Sequence, residues 1–380
     1  MLKNILFLLF FVSSIAVSGQ VTFIVNDYPE KTADTSAVFI SGDFEGWSGG
    51  RDELKLIKQE NIFSITIPKF KEHISYKFTQ GGWDRVECDE KGSAIENRTY
   101  SFNKPYDTVY VSIQKWNSLE NRSQPKVSTA AKNVFIFSEN FEIPQLNRFR
   151  SISIYLPPNY KETNERYPVL YMLDGQNMFD LTTSYAGEWE VDETLNTLYE
   201  KEDMSFIVIA IGHGGENRTN EYSAWNSAKH GTGEGELFLD FIVNTLKPEI
   251  DQQYRTKPDN INTAIIGSSM GGLFAHYTAL KRPDVFGKAV VFSPSFWYAK
   301  DCFSFTTERI NSMKESKLYY LAGNKEGAGM VENMDKMISL LLEGNIRNNN
   351  IYKSIIPNGT HNESLWRTGF KKAVLWLFSK

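Results

Sequence analysis

The sequence predicts two structural classes in one chain: a small antiparallel β-sandwich, then an α/β domain with a mostly parallel central sheet and helices on both faces. Three observations carry this. Short, alternating, β-branched runs fill the first third of the chain. After about Asn133, apolar strand-like runs alternate with helix-length amphipathic segments. A polar stretch containing Ser123, Pro125 and Ser128 separates the two patterns. The chain has 380 residues and a mass of 43.5 kDa, too long for one ordinary domain and suited to two.

Residues 1–19 read as an export segment rather than as part of the fold. Lys3 supplies a positive start, Ile5 to Val17 is an uncharged and mainly apolar run, and the small Ser18 and Gly19 precede a cleavable position. The run is short for a bilayer and no stop-transfer charges follow, so an uncleaved anchor is the lesser alternative. No cysteine near the cut offers a lipid attachment, and no second long apolar segment follows. The expectation is a secreted or periplasmic protein with no stable membrane span.

Residues 20–116 form the expected sandwich. Its strands are seen in Ala37 to Ile40, Ile62 to Ile67, Ile74 to Phe78 and Thr108 to Ile113, separated by Gly, Asn and Asp clusters. Residues 117–132 read as a linker. Residues 133–380 form the α/β domain. Its strands are predicted at Ser151 to Leu156, Val169 to Leu173, Phe206 to Ile211, Thr263 to Gly267, Ala289 to Ser293, Leu318 to Ala322 and Tyr352 to Ile356. Several are uninterrupted apolar runs, as strands buried on both faces require. Helices are predicted at Leu237 to Ile250, Leu273 to Lys281, Val331 to Leu342 and Leu365 to Phe378.

Composition narrows the function classes. Hydrophobic residues are 41 % and charged residues 23 %, so the chain is not disordered. With 41 basic and 46 acidic residues the net charge is −5, which gives no electrostatic footprint for nucleic acid. The two cysteines, Cys88 and Cys302, make neither a disulfide scaffold nor a cysteine zinc site. There is no H-E-x-x-H and no acidic calcium loop, so no metal or cofactor is expected. Gly231 to Gly235 lacks the lysine and strand of a phosphate loop and reads as a loop near the site mouth.

The sharpest signal is Gly267-Ser268-Ser269-Met270-Gly271, between an apolar strand and a helix. A serine on so tight a turn takes strained backbone angles, and small neighbours permit them. The spacing selects Ser269 over Ser268 as nucleophile. Its hydroxyl then stands above the carboxyl ends of the strands, where open α/β sheets place ligands.

A serine needs a base. His73 lies in the β-domain, and His276 sits on the same helix as Ser269, roughly 10 Å along its axis. His213 precedes the serine, and His230 lies in the Gly-rich loop. His361 follows the last strand and precedes the last helix, the place of the base in the order Ser, acid, His. The acid belongs after Leu318 to Ala322, where Glu326 lies; Asp335 is the main rival and Asp301 a weaker one. Backbone N–H groups of Met270 and Gln176 are the candidate oxyanion donors, each typically worth about 3–4 kcal/mol in the transition state. Asp174-Gly175-Gln176-Asn177 would equally make a plain β-turn.

At these residues the second domain resembles the esterase-D-like branch of the α/β-hydrolases, which includes enterochelin-esterase-type enzymes and carbohydrate esterase family one. The matching stretches are Tyr171 to Phe179, the serine elbow through Arg282-Pro283, Phe292 to Trp297, Ala322 to Gly327 and Gly359 to Trp366. The resemblance implies Ser269, Glu326 and His361 as a triad, although many relatives carry Asp at the acid position and some use only a Ser–His dyad. It places Trp297 near an acyl pocket and Asp174 at the substrate. The first domain resembles starch- and glycogen-binding β-sandwich modules through Phe39 to Trp47, Tyr76 to Trp83, Glu87 and Asn97-Arg98. That resemblance makes Trp47, Trp83 and Tyr76 candidate sugar contacts, although tryptophans also fill sandwich cores.

The expected function is an exported serine esterase acting on carbohydrate-linked acyl groups, of feruloyl or acetyl type, with the first module holding the polysaccharide. Two alternatives remain open: a serine hydrolase of siderophore esters, thioesters or peptides, and a non-catalytic glycan-binding protein.

Overall fold

The computed structural model of the chain describes residues 19–29, 37–45, 47–92, 95, 97–117, 127–184, 187–227, 231–313, 315–327, 329–344 and 346–378. Except for Gly19, the expected export segment lies outside the described residues, as do residues 118–126 of the expected linker and His230. The chain divides into two compact units, Met1–Gln124 and Pro125–Lys380. No described helix is long and apolar enough to cross a membrane.

The first unit contains β1 (Gln20–Asp27), β2 (Phe39–Gly42), β3 (Ile57–Gln59), β4 (Ile62–Pro68), β5 (His73–Thr79), β6 (Glu87–Cys88), β7 (Arg98–Ser101), β8 (Tyr106–Ser112) and β9 (Lys115–Trp116). One sheet runs β3-β4-β1-β8 and another β2-β5-β7. Alternation sends Val21, Phe23 and Val25 of β1 into a core shared with Ile74, Tyr76 and Phe78 of β5. The rings of Phe23 and Tyr76 lie 4.7 Å apart.

The first unit departs from the expected pattern in two ways. The unit is not wholly antiparallel, because β1 pairs with β8 in parallel, starting at Gln20↔Tyr106. The two strands are far apart in sequence, so no hairpin forces them to oppose. Tyr76 is not a surface contact. It is 3 % exposed, and burial pushes its phenol up to about 12. The period of two puts it on the inward face of β5 with Ile74 and Phe78. Trp47 and Trp83 are half-buried, their rings 5.8 Å apart, and Trp83 Nε1 donates to the Trp47 carbonyl at 2.9 Å.

The second unit is built on β10 (Val134–Ile143), β11 (Arg148–Tyr155), β12 (Val169–Leu173), β13 (Ile207–Ile211), β14 (Thr263–Ser268), β15 (Lys288–Phe292), β16 (Lys317–Gly323) and β17 (Ile351–Ile356). Their order is β10-β11-β13-β12-β14-β15-β16-β17. From β13 to β17 every neighbouring pair is parallel; β11 pairs antiparallel with both β10 and β13, so it alone runs against the other strands. The apolar runs are buried on both sides. Val169, Tyr171 and Leu173 face one core, and Leu170 and Met172 face the other.

The helices are α1 (Val191–Glu202), α2 (Arg218–Glu221), α3 (Gly235–Phe241), α4 (Lys247–Gln253), α5 (Met270–Lys281), α6 (Asp301–Arg309), α7 (Met330–Glu343) and α8 (Glu363–Phe378). Side chains of α1 and α8 fill one core, and those of α3, α5 and α7 fill the other. The segment predicted as one helix from Leu237 to Ile250 is α3 and α4 joined by a π-helical stretch, Ile242–Leu246. Pro248 in the first turn of α4 has no N–H and crowds the turn before it, and the wider turn accommodates it. The strand order brings the loops after β12, β14, β15, β16 and β17 to one edge of the sheet.

Candidate active site

Ser269 is the single residue between β14 and α5, with φ 57° and ψ −120°. Few L residues hold such angles, and the packing explains why this one does. Its N–H donates to the Phe292 carbonyl at 2.9 Å. A Cβ on Gly267 would lie 2.3 Å from the Gly271 oxygen, and one on Gly272 would lie 2.6 Å from the Phe292 oxygen. A Cβ on Gly271 would meet only ordinary contacts, the nearest at 3.5 Å. The turn therefore requires glycine at 267 and 272.

Loops after two other strands complete the chain of hydrogen bonds. His361 Nε2 lies 2.9 Å from Ser269 Oγ, and His361 Nδ1 lies 2.6 Å from Glu326 Oε2. A carboxylate only accepts, so Nδ1 carries the proton and Nε2 is free to accept from the serine hydroxyl. The side chain of Glu326 is fully buried and that of His361 is 25 % exposed. Glu326 Oε1 accepts from Ser293 Oγ at 2.7 Å and from the Gly323 N–H. Asp335 is elsewhere: it lies on α7 and pairs with Lys353 at 2.5 Å.

The N–H of Met270, at the start of α5, has no carbonyl of its own helix to bond. In the loop after β12, Asn177 and Met178 N–H bond the Asp174 and Gly175 carbonyls, leaving Gln176 N–H out of the turn's own bonds. A Cβ on Gly175 would lie 2.6 Å from the Ala210 backbone, so only glycine lets this loop pack on β13.

A profile of the family described as "Putative esterase" matches residues 143–377, more than half of the chain. The chain belongs to this esterase family. It is a serine ester hydrolase with an α/β-hydrolase-like second unit. "Uncharacterized protein YbbA" of Bacillus subtilis is 26 % identical over 61 % of this chain and 93 % of its own length. An endo-1,4-beta-xylanase/feruloyl esterase of Xylanibacter ruminicola is 26 % identical over 61 % of this chain; the match spans 30 % of that protein. Among solved structures, the enterobactin esterase FES of Shigella flexneri superposes with a TM-score of 0.53 at 16 % identity, over 94 % of this chain and 92 % of that one.

The surrounding residues show what supports these groups. Asp174, expected at the substrate, has φ 58° and gives both carboxylate oxygens to Arg218, at 2.6 and 2.8 Å. Its N–H also donates to Tyr222 Oη at 3.2 Å. It shapes the loop that carries Gln176. Burial lowers the pKa of neighbouring His213, which accepts the Gly215 N–H at Nδ1. Burial also holds the Glu363 carboxyl up to about 7. Trp297 is 45 % exposed, two residues after Ser295, whose hydroxyl lies 3.4 Å from Ser269 Oγ.

Sequence reasoning assigned no role to Ser293, Trp366 or Arg218. Trp366 Nε1 donates to Ser293 Oγ at 2.8 Å, and Ser293 in turn donates to Glu326. The Trp366 ring meets the His361 ring edge-on at 5.1 Å and 89°. Both residues lie in stretches quoted for the family resemblance, which was the available signal. Of the other histidines, His276 is fully buried between Tyr320 Oη and Thr306 Oγ1, and His73 bonds Ser101 in the first unit.

Proposed function

We propose that this esterase cleaves carboxylic esters by acyl transfer through Ser269, with His361 as base and Glu326 as the acid that orients it. The observation carrying this reading is the unbroken chain from Ser269 Oγ through both imidazole nitrogens to a buried carboxylate. Ser269 Oγ attacks the acyl carbon as His361 Nε2 takes its proton. Met270 and Gln176 N–H groups hold the developing oxyanion. His361 then protonates the leaving alcohol, and water activated by the same ring releases the acyl group.

The proposed substrate is an acyl group, of feruloyl or acetyl type, on a polysaccharide or oligosaccharide. The xylanase/feruloyl esterase relative supports that class. The proposed setting is outside the cytoplasm, from the pattern of residues 1–19. The first unit, through Trp47 and Trp83, is proposed to hold the polymer and raise its local concentration. A second reading, siderophore-ester hydrolysis, is favoured by the enterobactin esterase, whose similarity extends over both units.

The test is a substrate panel on wild type and Ser269→Ala: feruloylated and acetylated oligosaccharides, a catecholate triester and p-nitrophenyl acetate. The proposal expects preference for the carbohydrate esters and no turnover by the variant. Preference for the triester selects the second reading. Turnover by Ser269→Ala at the wild-type rate overturns the mechanism.

A further inference from the structure

Three carboxylates gather just ahead of and within the first turn of α1, and none of them belongs to the hydrogen-bond chain of Ser269, His361 and Glu326. One oxygen from each of Glu188, Asp192 and Glu193 lies within 4.8 Å of the others. Glu188 is 5 % exposed and Asp192 is not exposed at all. Each carboxylate is half satisfied at most. Glu188 Oε2 accepts from Thr129 Oγ1 at 2.8 Å, and Asp192 Oδ2 accepts the Ala131 N–H at 2.7 Å. Glu188 Oε1, Asp192 Oδ1 and Glu193 Oε2 are enclosed and take no donor from any other residue, and Asp192 and Glu193 can bond each other only when one of them holds a proton.

Such an arrangement is costly as it stands. Burying an ionised carboxylate without a partner costs several kcal/mol, and like charges this close repel further. Among the described residues, no Lys or Arg forms an ion pair with any of the three. The nearby Arg367 pairs instead with Glu190. The helix N-terminus offsets only part of the charge. Either a proton or a cation has to sit among these oxygens.

We propose that Glu188, Asp192 and Glu193 bind a divalent cation of the calcium class. The donors are all hard carboxylate oxygens, which exclude soft metals. The set is irregular and rich in carboxylates able to bind through one or two oxygens, which suits calcium better than octahedral magnesium. No sequence motif announces the site, because Thr129 and Ala131, which hold the second oxygens, come from a distant segment. The ion ties together the segment around Thr129, the turn before α1 and α1 itself. Trp189, between the ligands, stacks on Phe292 at 5.6 Å and meets Trp366 at 5.9 Å. Occupancy therefore steadies the wall behind His361 without touching the reacting groups.

The experiment uses the full chain, freed of metal by chelation, at pH 7.5. Terbium emission excited through tryptophan reports binding, since Trp189 adjoins the ligands, and calcium chloride competes for the site. The proposal expects one saturable terbium site per chain, displaced by calcium with a dissociation constant on the order of 0.1–1 mM or tighter, and a melting temperature that rises with calcium. Glu188→Gln and Glu193→Gln each weaken binding on the order of tenfold or more while ester turnover at low temperature is retained; Asp192→Asn serves as a third variant if it folds. No sensitised emission and no melting shift up to about 10 mM calcium overturns the proposal. So does binding that both glutamine variants leave unchanged. A melting temperature that depends on pH around 7 identically with and without calcium assigns the cluster to a shared proton, and also overturns it.

Discussion

Glu326→Gln tests the acid of the hydrogen-bond chain with little change in shape. In the wild type, Glu326 Oε1 accepts two bonds, from Ser293 and Gly323, and Oε2 faces His361 Nδ1 at 2.6 Å. A glutamine keeps its carbonyl oxygen where two donors converge, which turns its NH2 toward His361. Nδ1 must then accept, so the ring's proton moves to Nε2. In that tautomer the nitrogen 2.9 Å from Ser269 Oγ is a donor and cannot take the serine's proton. The loss combines the wrong tautomer with the missing stabilisation of imidazolium. It amounts to about 10,000-fold in kcat, or about 5 kcal/mol of transition-state stabilisation. Stability changes little, because the buried donors keep their acceptor. The assay is steady-state hydrolysis of p-nitrophenyl acetate, with a melting curve on the same sample. A folded variant with kcat within tenfold of wild type would refute the reasoning, and Asp335→Asn, whose carboxylate pairs with Lys353, is expected to leave kcat unchanged.

Other predictions follow from the same geometry. Gly271→Ala leaves the melting temperature within a few degrees of wild type, whereas Gly267→Ala lowers it sharply and removes activity, since its methyl would overlap the Gly271 carbonyl. Trp366→Phe keeps an aromatic ring, though a smaller one, and deletes the donor to Ser293; kcat falls about tenfold and stability by about 1–2 kcal/mol, read by turnover and urea titration. His276 is buried as the neutral ring, with its pKa lowered to about 3 by burial. Because that folded pKa lies below the unfolded value of about 6.5, its contribution is present above pH 6.5 and is lost as pH falls toward 3, at up to about 1.4 kcal/mol per pH unit. Urea titrations across that range are expected to show a shallower pH slope in His276→Gln than in wild type.

What could be read from the sequence follows from burial. Val169 to Leu173 was legible to the residue because both faces are buried, and an uninterrupted apolar run has few other readings. β10 was not legible: Phe135 and Ile136 are exposed on this edge strand, so its pattern lacks a clean alternation. α1 was missed for a related reason, since its first turn carries acids that look like solvated charge. Ser269 announced itself through the backbone its turn requires, and His361 through its position after the last strand. Glu326 and Asp335 could not be separated until the fold put one beside the imidazole and the other on the side of a helix. Ser293 and Trp366 are 73 residues apart, and no local pattern could have paired them. Tyr76 looked like a sugar contact because its type suits either a platform or a core, and only strand register decides which.

The central claim is that one serine hydroxyl is made nucleophilic by the ring beside it. Reaction of the full chain with a fluorophosphonate, followed by peptide mass spectrometry, measures this directly. The account predicts a single adduct on Ser269, formed rapidly in wild type and at least a hundredfold more slowly in His361→Ala. An unlabelled protein, or an adduct on Ser268 or Ser295 with Ser269 untouched, would contradict it.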